Sequence, residues 1–429
     1  MKIPARIQST IDLLDIILRS PEVPADKIMT SFFRDRRFIG GGDRRSIAEM
    51  TYAILRNYFK INWFHKTDSA RLLALVYLTA IEEKSLPSLE SLFSGEMFCP
   101  GPLSSSEIKI LNTLKPHESL PLWAEYNVPE DIIPYLEESF PGTFKDELLA
   151  LNKQAPFDLR VNTLKSTQVA VLKQFERDEI EAKPTPLSPI GVRLEKRRPL
   201  PDYPLWKDGS IEVQDEGSQL IALLCKAEPG MSVLDYCAGA GGKSLAIAGC
   251  MQNKGRLVLS DILEWRLKRA QERLKRAGVH NYECRLVTDK SWFKRQEIRF
   301  DRVLVDAPCS GTGTWRRNPD LKMKFTTKDL HELVQKQQEI LNKASKFVKP
   351  NGLLIYATCS LLQIENHQQI KTFLNNNPDF QLVPIEKIWK EVISAPCPTE
   401  EDMLQLSTFL HQTDGFFVSV LIRKMVESL

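Results

Sequence analysis

Two short stretches carry thiols beside groups that could assist them. Val305-Asp306-Ala307-Pro308-Cys309-Ser310-Gly311 and Tyr356-Ala357-Thr358-Cys359-Ser360 each close an apolar, strand-like run. If the two strands pair, their ends lie about 5 Å apart. Cys309, Cys359 and the carboxylate of Asp306 would then share one cleft. A thiolate in such a place is a covalent nucleophile, and a carboxylate beside it can stabilise developing charge. A pair of buried structural cysteines is the plain alternative, but it does not explain why both fall just past strand ends beside Asp306.

A third stretch, Val233-Leu-Asp-Tyr-Cys-Ala-Gly-Ala-Gly-Gly-Lys-Ser244, ends a strand in a turn of small residues. Small residues let backbone approach a ligand closely, and the helix that follows supplies free amides. A P-loop needs Gly five positions before Gly242 and finds Cys237; a dinucleotide turn begins with Gly239 and Gly241 but ends at Ser244. Each pattern fails by one residue. The remaining candidate is a nucleoside cofactor without a pyrophosphate, such as S-adenosylmethionine, whose methionine carboxylate and amine can be held by backbone amides and an acidic residue at this turn. Asp261, at the next strand end, suits the ribose hydroxyls, and Asp289, after the third, could face the adenine amino group.

A thiol, a carboxylate and a methyl donor together meet the needs of methylation at the 5-position of cytosine. That carbon becomes nucleophilic only after a thiolate adds at the 6-position, and a base must later remove the 5-proton. Residue spacing does not choose between Cys309 and Cys359 as the attacking group. A nucleotide hydrolase rests on Gly242-Lys243-Ser244 alone, and a non-catalytic assembly factor would not need both cysteines and Asp306.

The elements that must position these residues follow from the pattern. From about residue 212, apolar runs at Ser232–Asp235, Arg256–Ser260, Glu283–Val287, Arg302–Asp306, Leu353–Ala357 and Phe416–Ile422 alternate with helical stretches, including 262–277 and 330–348. This predicts an α/β fold: a Rossmann-like, doubly wound, mostly parallel sheet with a final antiparallel strand, carrying its chemistry at the carboxyl ends of the strands. Residues 1–119 read as helical, with Asp43 as a candidate N-cap and an apolar stretch at 71–81; residues 99–106 read as a loop. Residues 120–211 read as a small α+β module, with helices near 134–136 and 144–151, strands at 158–161 and 191–194, and prolines from Pro184 onward interrupting regular structure.

The 429 residues carry a net charge of +3, eight cysteines without a C-x-x-C pair, and six histidines. Neither a zinc site nor a disulfide framework is favoured, so no metal is expected. No apolar run reaches the roughly 20 residues needed to span a bilayer. Asp12 and Asp15 interrupt the first apolar stretch, which reads as an amphipathic helix rather than a secretory signal. A cytoplasmic monomer is expected. Basic clusters at residues 34–45, 196–198 and at Arg316 and Arg317 suit a phosphate backbone, although any one of them alone would read as solvated surface.

The motifs D-A-P-C-S-G-T-G (306–313), R-R-N-P-D (316–320), A-T-C-S with its trailing E-N (357–360, 365–366), F-D-L-R-V-N-T-L-K (157–165) and V-Q-D-E-G-S-Q-L (213–220) resemble the Nop/Sun family of RNA cytosine-5 methyltransferases. The resemblance is greatest to its bacterial Fmu-type branch, and it spans nearly the whole chain. It implies S-adenosylmethionine as cofactor and RNA, 16S ribosomal RNA in particular, as substrate. It further implies Cys359 as nucleophile, Cys309 as the cysteine assisting product release, and Asp306 as the carboxylate facing cytosine and cofactor. Residues 237–243, Asp261 and Asp289 match the cofactor contacts. Residues 41–56 resemble a NusB-like helical RNA-binding domain. The 120–211 module is implied to touch RNA, with Arg160 and Asn162 as contacts, and Arg316 and Arg317 outside it are expected to position the RNA backbone through its phosphates. The family turn usually reads C-A-A-P-G-G-K; Gly239 and Ala240 replace Ala-Pro here, which loosens the turn without removing a needed side chain. Gly217 likewise stands where Ala is usual.

Overall fold

Apolar runs of four to seven residues are too short for core helices, and amphipathic stretches between them need an apolar sheet to cover. The computed structural model, which describes residues 1–115 and 119–425, joins them accordingly. Strands β1 (Phe157–Val161), β2 (Ala182–Pro184), β3 (Gly191–Leu194) and β4 (Ile211–Val213) form a four-stranded sheet in the order β2-β3-β1-β4. Strands β5 (Ser232–Asp235), β6 (Arg256–Asp261), β7 (Tyr282–Leu286), β8 (Phe300–Asp306), β9 (Val348–Thr358), β10 (Phe380–Val383), β11 (Leu404–Leu406) and β12 (Phe416–Arg423) form an eight-stranded sheet. Its order is β10-β12-β9-β8-β5-β6-β7, with β11 also paired to β12. The five strands from β5 to β9 run parallel, and β12 pairs antiparallel with β9, β10 and β11. This is a Rossmann-like, doubly wound sheet.

Alternating side chains serve opposite faces. Val233, Leu257, Leu259, Leu304 and Ile355 pack with Leu220, Leu245, Leu267 and Trp389 on one face. Leu234, Val258, Val303, Val305 and Leu354 pack with Phe293, Leu341 and Ile370 on the other. Both faces are covered, so the strands are apolar throughout rather than alternating with polar residues.

The six strands expected in this sheet are present, each within a few residues of its expected ends. Strands β10 and β11 were not expected: they are short, and Gln381 and Gln405 break their apolar runs. Strands β2 and β4, each of three residues, were also not anticipated.

By compactness the chain divides into Met1–Lys153 with Trp315–Thr327, and Gln154–Thr314 with Lys328–Leu429. The division does not fall at the expected boundaries near 119 and 211. In the first unit Trp123 meets Trp63 edge-on at 5.8 Å, and the Lys60 amide donates to Asn127 Oδ1 at 3.0 Å. The short helices before residue 153 thus pack with the helices preceding them, whereas the four-stranded sheet lies in the second unit. The first unit is helical as expected, with helices that include Ile3–Arg19, Ala25–Asp35, Gly41–Arg56 and Ala70–Val76. Asp43 is not an N-cap: the helix already starts at Gly41, and the Asp43 carboxylate pairs with Arg6 at 2.8 Å. The expected loop at 99–106 ends early, because Ser104 and Glu107 form a capping box for helix Ser105–Thr113. No helix among the described residues is long and apolar enough to cross a membrane.

Candidate active site

The carboxyl ends of the parallel strands collect the polar residues. After β5 the chain turns through residues 236–241 before helix Gly242–Cys250. Neighbouring strands fix this turn: the Tyr236 amide donates to Leu304 O at 2.8 Å and the Ala238 amide to Ser260 O at 2.9 Å. Arg273 donates to Ala240 O at 2.6 Å. Gly239 and Gly241 adopt φ of +54° and +76°, values that favour glycine. A Cβ on Gly241 would sit 3.0 Å from that of Ala270, whereas nothing lies within 4 Å of one on Gly239. Gly241 is therefore the constrained position, and Gly239 opens onto free space.

That space is a cavity of about 510 Å³. Its lining includes Cys237, Ala238, Gly239, Ala240, Gly242, Lys243, Asp261 and Asp306, with the apolar groups Ile262, Val287 and Pro308. Eight of the residues proposed from sequence thus share one pocket. Asp261 is buried, and its carboxylate accepts from the Gly239 amide at 3.0 Å and the Leu263 amide at 2.8 Å. Asp289 behaves differently. It is exposed, and its Oδ1 caps helix Lys290–Lys294 by accepting from the Trp292 amide at 3.0 Å. Val287 supplies the lining at that strand end. The geometry gives Asp289 a capping role in place of the expected adenine contact.

Electrostatics concentrate at Lys243 and three carboxylates. Lys243 Nζ donates to Asp306 Oδ2 at 2.7 Å and lies over the Phe416 ring. Burial favours loss of its proton, but the Asp306 charge and hydrogen bond outweigh burial and hold the ammonium above its ordinary pKa. Asp235, at the end of β5, is fully buried. Its Oδ2 accepts from Ser244 at 2.5 Å, while its Oδ1 has no partner. Burial raises its pKa to about 7, against the lowering effect of the Ser244 hydrogen bond.

Strands β8 and β9 pair in parallel with Asp306 opposite Ala357, so the residues just beyond them are neighbours. Cys309 Sγ and Cys359 Sγ are 3.4 Å apart. The Gly313 amide donates to Cys359 O at 3.0 Å, joining the two loops. The hydrogen bond to Cys359, followed by burial, pushes the Cys309 thiol well above its ordinary pKa. The two sulfurs proposed from sequence therefore meet, and Asp306 stands three residues before one of them in the cavity wall.

The four basic or amide residues expected to touch RNA are not grouped here. Arg160 and Asn162 are 2% and 3% exposed. Arg160 donates to Gln214 Oε1 at 2.7 Å, and Gln214 donates to Ser218 in the cavity lining at 3.0 Å. Asn162 donates to the carbonyls of Gly209 and Ala277, both at 2.9 Å. These two side chains are internal supports, which corrects the expectation that they face phosphate: a buried polar group must spend its hydrogen bonds where it lies. Arg316 is also buried, and its carbonyl accepts from Arg56 at 3.5 Å; Arg317 is half-buried. The signatures at 157–165 and 213–220 serve the same interior. Arg193 forms two bonds to Asp158, at 2.6 and 2.9 Å, and reaches Glu216 at 3.4 Å, while Asp215 caps helix Glu216–Leu224.

Sequence reasoning assigned no role to Glu365 and Gln337. Both are fully buried and hydrogen-bonded to each other at 2.9 Å behind the cysteine loops. The signal available for Glu365 was its place after the Cys359 motif; Gln337 gave none, being one polar residue in a long amphipathic helix.

Residues 222–422 match the family described as 16S rRNA methyltransferase RsmB/F, and residues 128–201 match the RsmF/B-like ferredoxin-like domain. Ribosomal RNA small subunit methyltransferase B of Photorhabdus laumondii is 34% identical over 307 residues, which cover 69% of this chain and 66% of that protein. The protein of the same name from Salmonella paratyphi B is 34% identical over 304 residues, covering 70% of this chain and 67% of that one. Part of each relative's length thus lies outside the match. The crystal structure of PH0851 superposes with a TM-score of 0.80 at 25% identity, covering 99% of this chain and 100% of its own. The chain belongs to the RsmB/F methyltransferase family.

Proposed function

We propose that this protein transfers a methyl group from S-adenosylmethionine to the 5-position of a cytosine in RNA, with 16S ribosomal RNA as substrate, through a covalent bond from Cys359 to the base. The observation that carries the reading is the 3.4 Å approach of the two sulfurs beside the wall of the cavity that Asp306 and Lys243 share. The relatives named as small-subunit ribosomal RNA methyltransferases support the choice of substrate.

The cavity's donor set fits the cofactor. Asp261 can accept from ribose hydroxyls, and Ile262, Val287 and Pro308 offer apolar contact to an adenine ring. Asp261 and Asp306 in the lining can attract the ammonium and sulfonium of such a ligand. The bound cofactor supplies an electrophilic methyl group.

The chain's own residues do the rest. Cys359, as thiolate, adds to the cytosine 6-position, and the ring's electrons move toward the 5-position. Cys309, 3.4 Å from the attacking sulfur, assists the later release of the methylated base. Lys243 fixes Asp306, whose second oxygen can meet the amino and ring-nitrogen edge of the base and stabilise its charge. After methyl transfer, a base takes the 5-proton and the electron pair of that bond expels the Cys359 thiolate. The target base must be single-stranded or flipped out to reach these groups. The partly exposed Arg317 and the four-stranded sheet are the parts we assign to RNA positioning.

Incubation with methyl-labelled S-adenosylmethionine and unmodified 16S ribosomal RNA, followed by mapping of the product, tests the reading. Label at the 5-position of a cytosine is expected; label on another base or atom would refute it.

A further inference from the structure

Both cysteines are followed by serine, and both serines point to one carboxylate. Ser310 Oγ donates to Glu365 Oε2 at 2.5 Å, and Ser360 Oγ donates to the same oxygen. Oε1 accepts from the Ser310 amide at 2.8 Å and from Gln337 Nε2 at 2.9 Å. Glu365 is 0% exposed, and the partners of its carboxylate are Ser310, Gln337 and Ser360. An ionised carboxylate accepts about four hydrogen bonds, and four donors are present. The buried charge is thus satisfied by dipoles rather than by a cation.

The surrounding bonds reinforce the arrangement. Gln337 also donates to Pro308 O at 2.9 Å, immediately before Cys309. Asn366 accepts from Thr358 Oγ1 at 2.6 Å and donates to Ser360 O at 2.9 Å, on either side of Cys359. Thr312 Oγ1 accepts from the Leu361 amide at 2.8 Å.

We propose that Glu365 is a positioning residue that clamps the Cys309 and Cys359 loops against each other and thereby sets the relative reactivity of the two sulfurs. The proposal rests on the cysteine chemistry described under the proposed function. Glu365 touches neither base nor cofactor in that scheme; it acts through the serines. Its charge stands behind the Cys309 loop and adds to the effects that keep Cys309 protonated, after the Cys359 hydrogen bond, burial and the Cys359 charge. Replacement by Gln removes the charge and places an NH2 group among four donors, so at least one bond must break.

The test uses the full chain with Glu365→Gln, Glu365→Asp, and the double variant Ser310→Ala/Ser360→Ala. Two readouts are taken on folded protein: methyl transfer to 16S ribosomal RNA across pH, and the pH-dependent alkylation of each cysteine by iodoacetamide, followed by mass spectrometry. For Glu365→Gln, kcat should fall about 100-fold or more, an effect of the size seen for a lost electrostatic group, with KM for S-adenosylmethionine nearly unchanged. The preference of iodoacetamide for Cys359 over Cys309 should shrink, and the alkaline limb of the kcat profile should move to lower pH. Glu365→Asp should recover part of both. If Glu365→Gln does not fold, the double variant, which keeps the charge, should lower kcat with the same unchanged KM. Unchanged cysteine selectivity and pH profile in a folded Glu365→Gln protein, or an unchanged kcat in the double variant, would overturn the clamp. Alkylation needs no RNA, so wild-type protein that shows the expected selectivity but methylates no cytosine would defeat the proposed function and leave the clamp standing.

Discussion

The turn after β5 and the loops after β8 and β9 sit at the same edge of one sheet, yet they are built in opposite ways. The turn is shaped by backbone: two glycines at positive φ, amides tied to adjacent strands, and open space above Gly239. The loops are shaped by side chains: hydroxyls, an amide and a carboxylate filling one another's bonds around two thiols. A turn that wraps a cofactor needs closeness and exposed amides. A thiol that must meet a ring carbon needs a fixed direction. Damage to the turn should therefore weaken binding, and damage to the loops should slow the chemistry.

The largest expected effect is on the loop side. Cys359→Ala should reduce methyl incorporation at least about 10³-fold, because the covalent route is lost, while S-adenosylmethionine still binds by calorimetry. Loss of cofactor binding in that variant would blur the distinction between the two regions. Asp306→Asn belongs to both, since Asp306 lines the cavity and pairs with Lys243. It should lower kcat about 100-fold and also weaken cofactor affinity, read from steady-state kinetics and titration. An effect on one parameter alone would move Asp306 into a single region.

On the turn side, Gly241→Ala places a Cβ 3.0 Å from Ala270 at a φ of +76°. The left-handed conformation costs about 1–2 kcal/mol, so urea unfolding should show a loss of that order with weaker S-adenosylmethionine binding. Gly239→Ala carries the same left-handed cost at a φ of +54° but meets no neighbour, so its loss should be the smaller of the two. Equal losses would contradict the assignment of Gly241 as the constrained position.

An effect confined to one pH window concerns Asp235, whose pKa rises from 3.8 to about 7 chiefly through burial. Between those values the folded state holds more protons than the unfolded one, so stability declines as pH rises through this window. Asp235→Asn should flatten that decline when thermal midpoints are compared across roughly pH 4–7. An unchanged slope would place the titration elsewhere.

Six of the eight strands of the large sheet, and the cavity turn, were legible in the sequence because each depends on a local pattern of an apolar run bounded by turn residues. The cysteine pairing was legible because parallel neighbours must end together. Other features depend on what a residue meets far along the chain. Arg160 and Asn162 read as RNA contacts, but the four-stranded sheet packs beside helix Glu216–Leu224 and turns them inward. Asp289 follows a strand as a ligand contact would, yet a short helix starts there and takes its carboxylate. The clamp at Glu365 joins residues from three separate stretches, Ser310, Gln337 and Ser360, and no spacing announces it.

The sulfur–cytosine bond is tested most directly by Cys309→Ala. With this variant, labelled 16S ribosomal RNA and S-adenosylmethionine, a denaturing gel should show a slow protein–RNA band that disappears when Cys359→Ala is added. No such band, or one that persists without Cys359, would contradict the account.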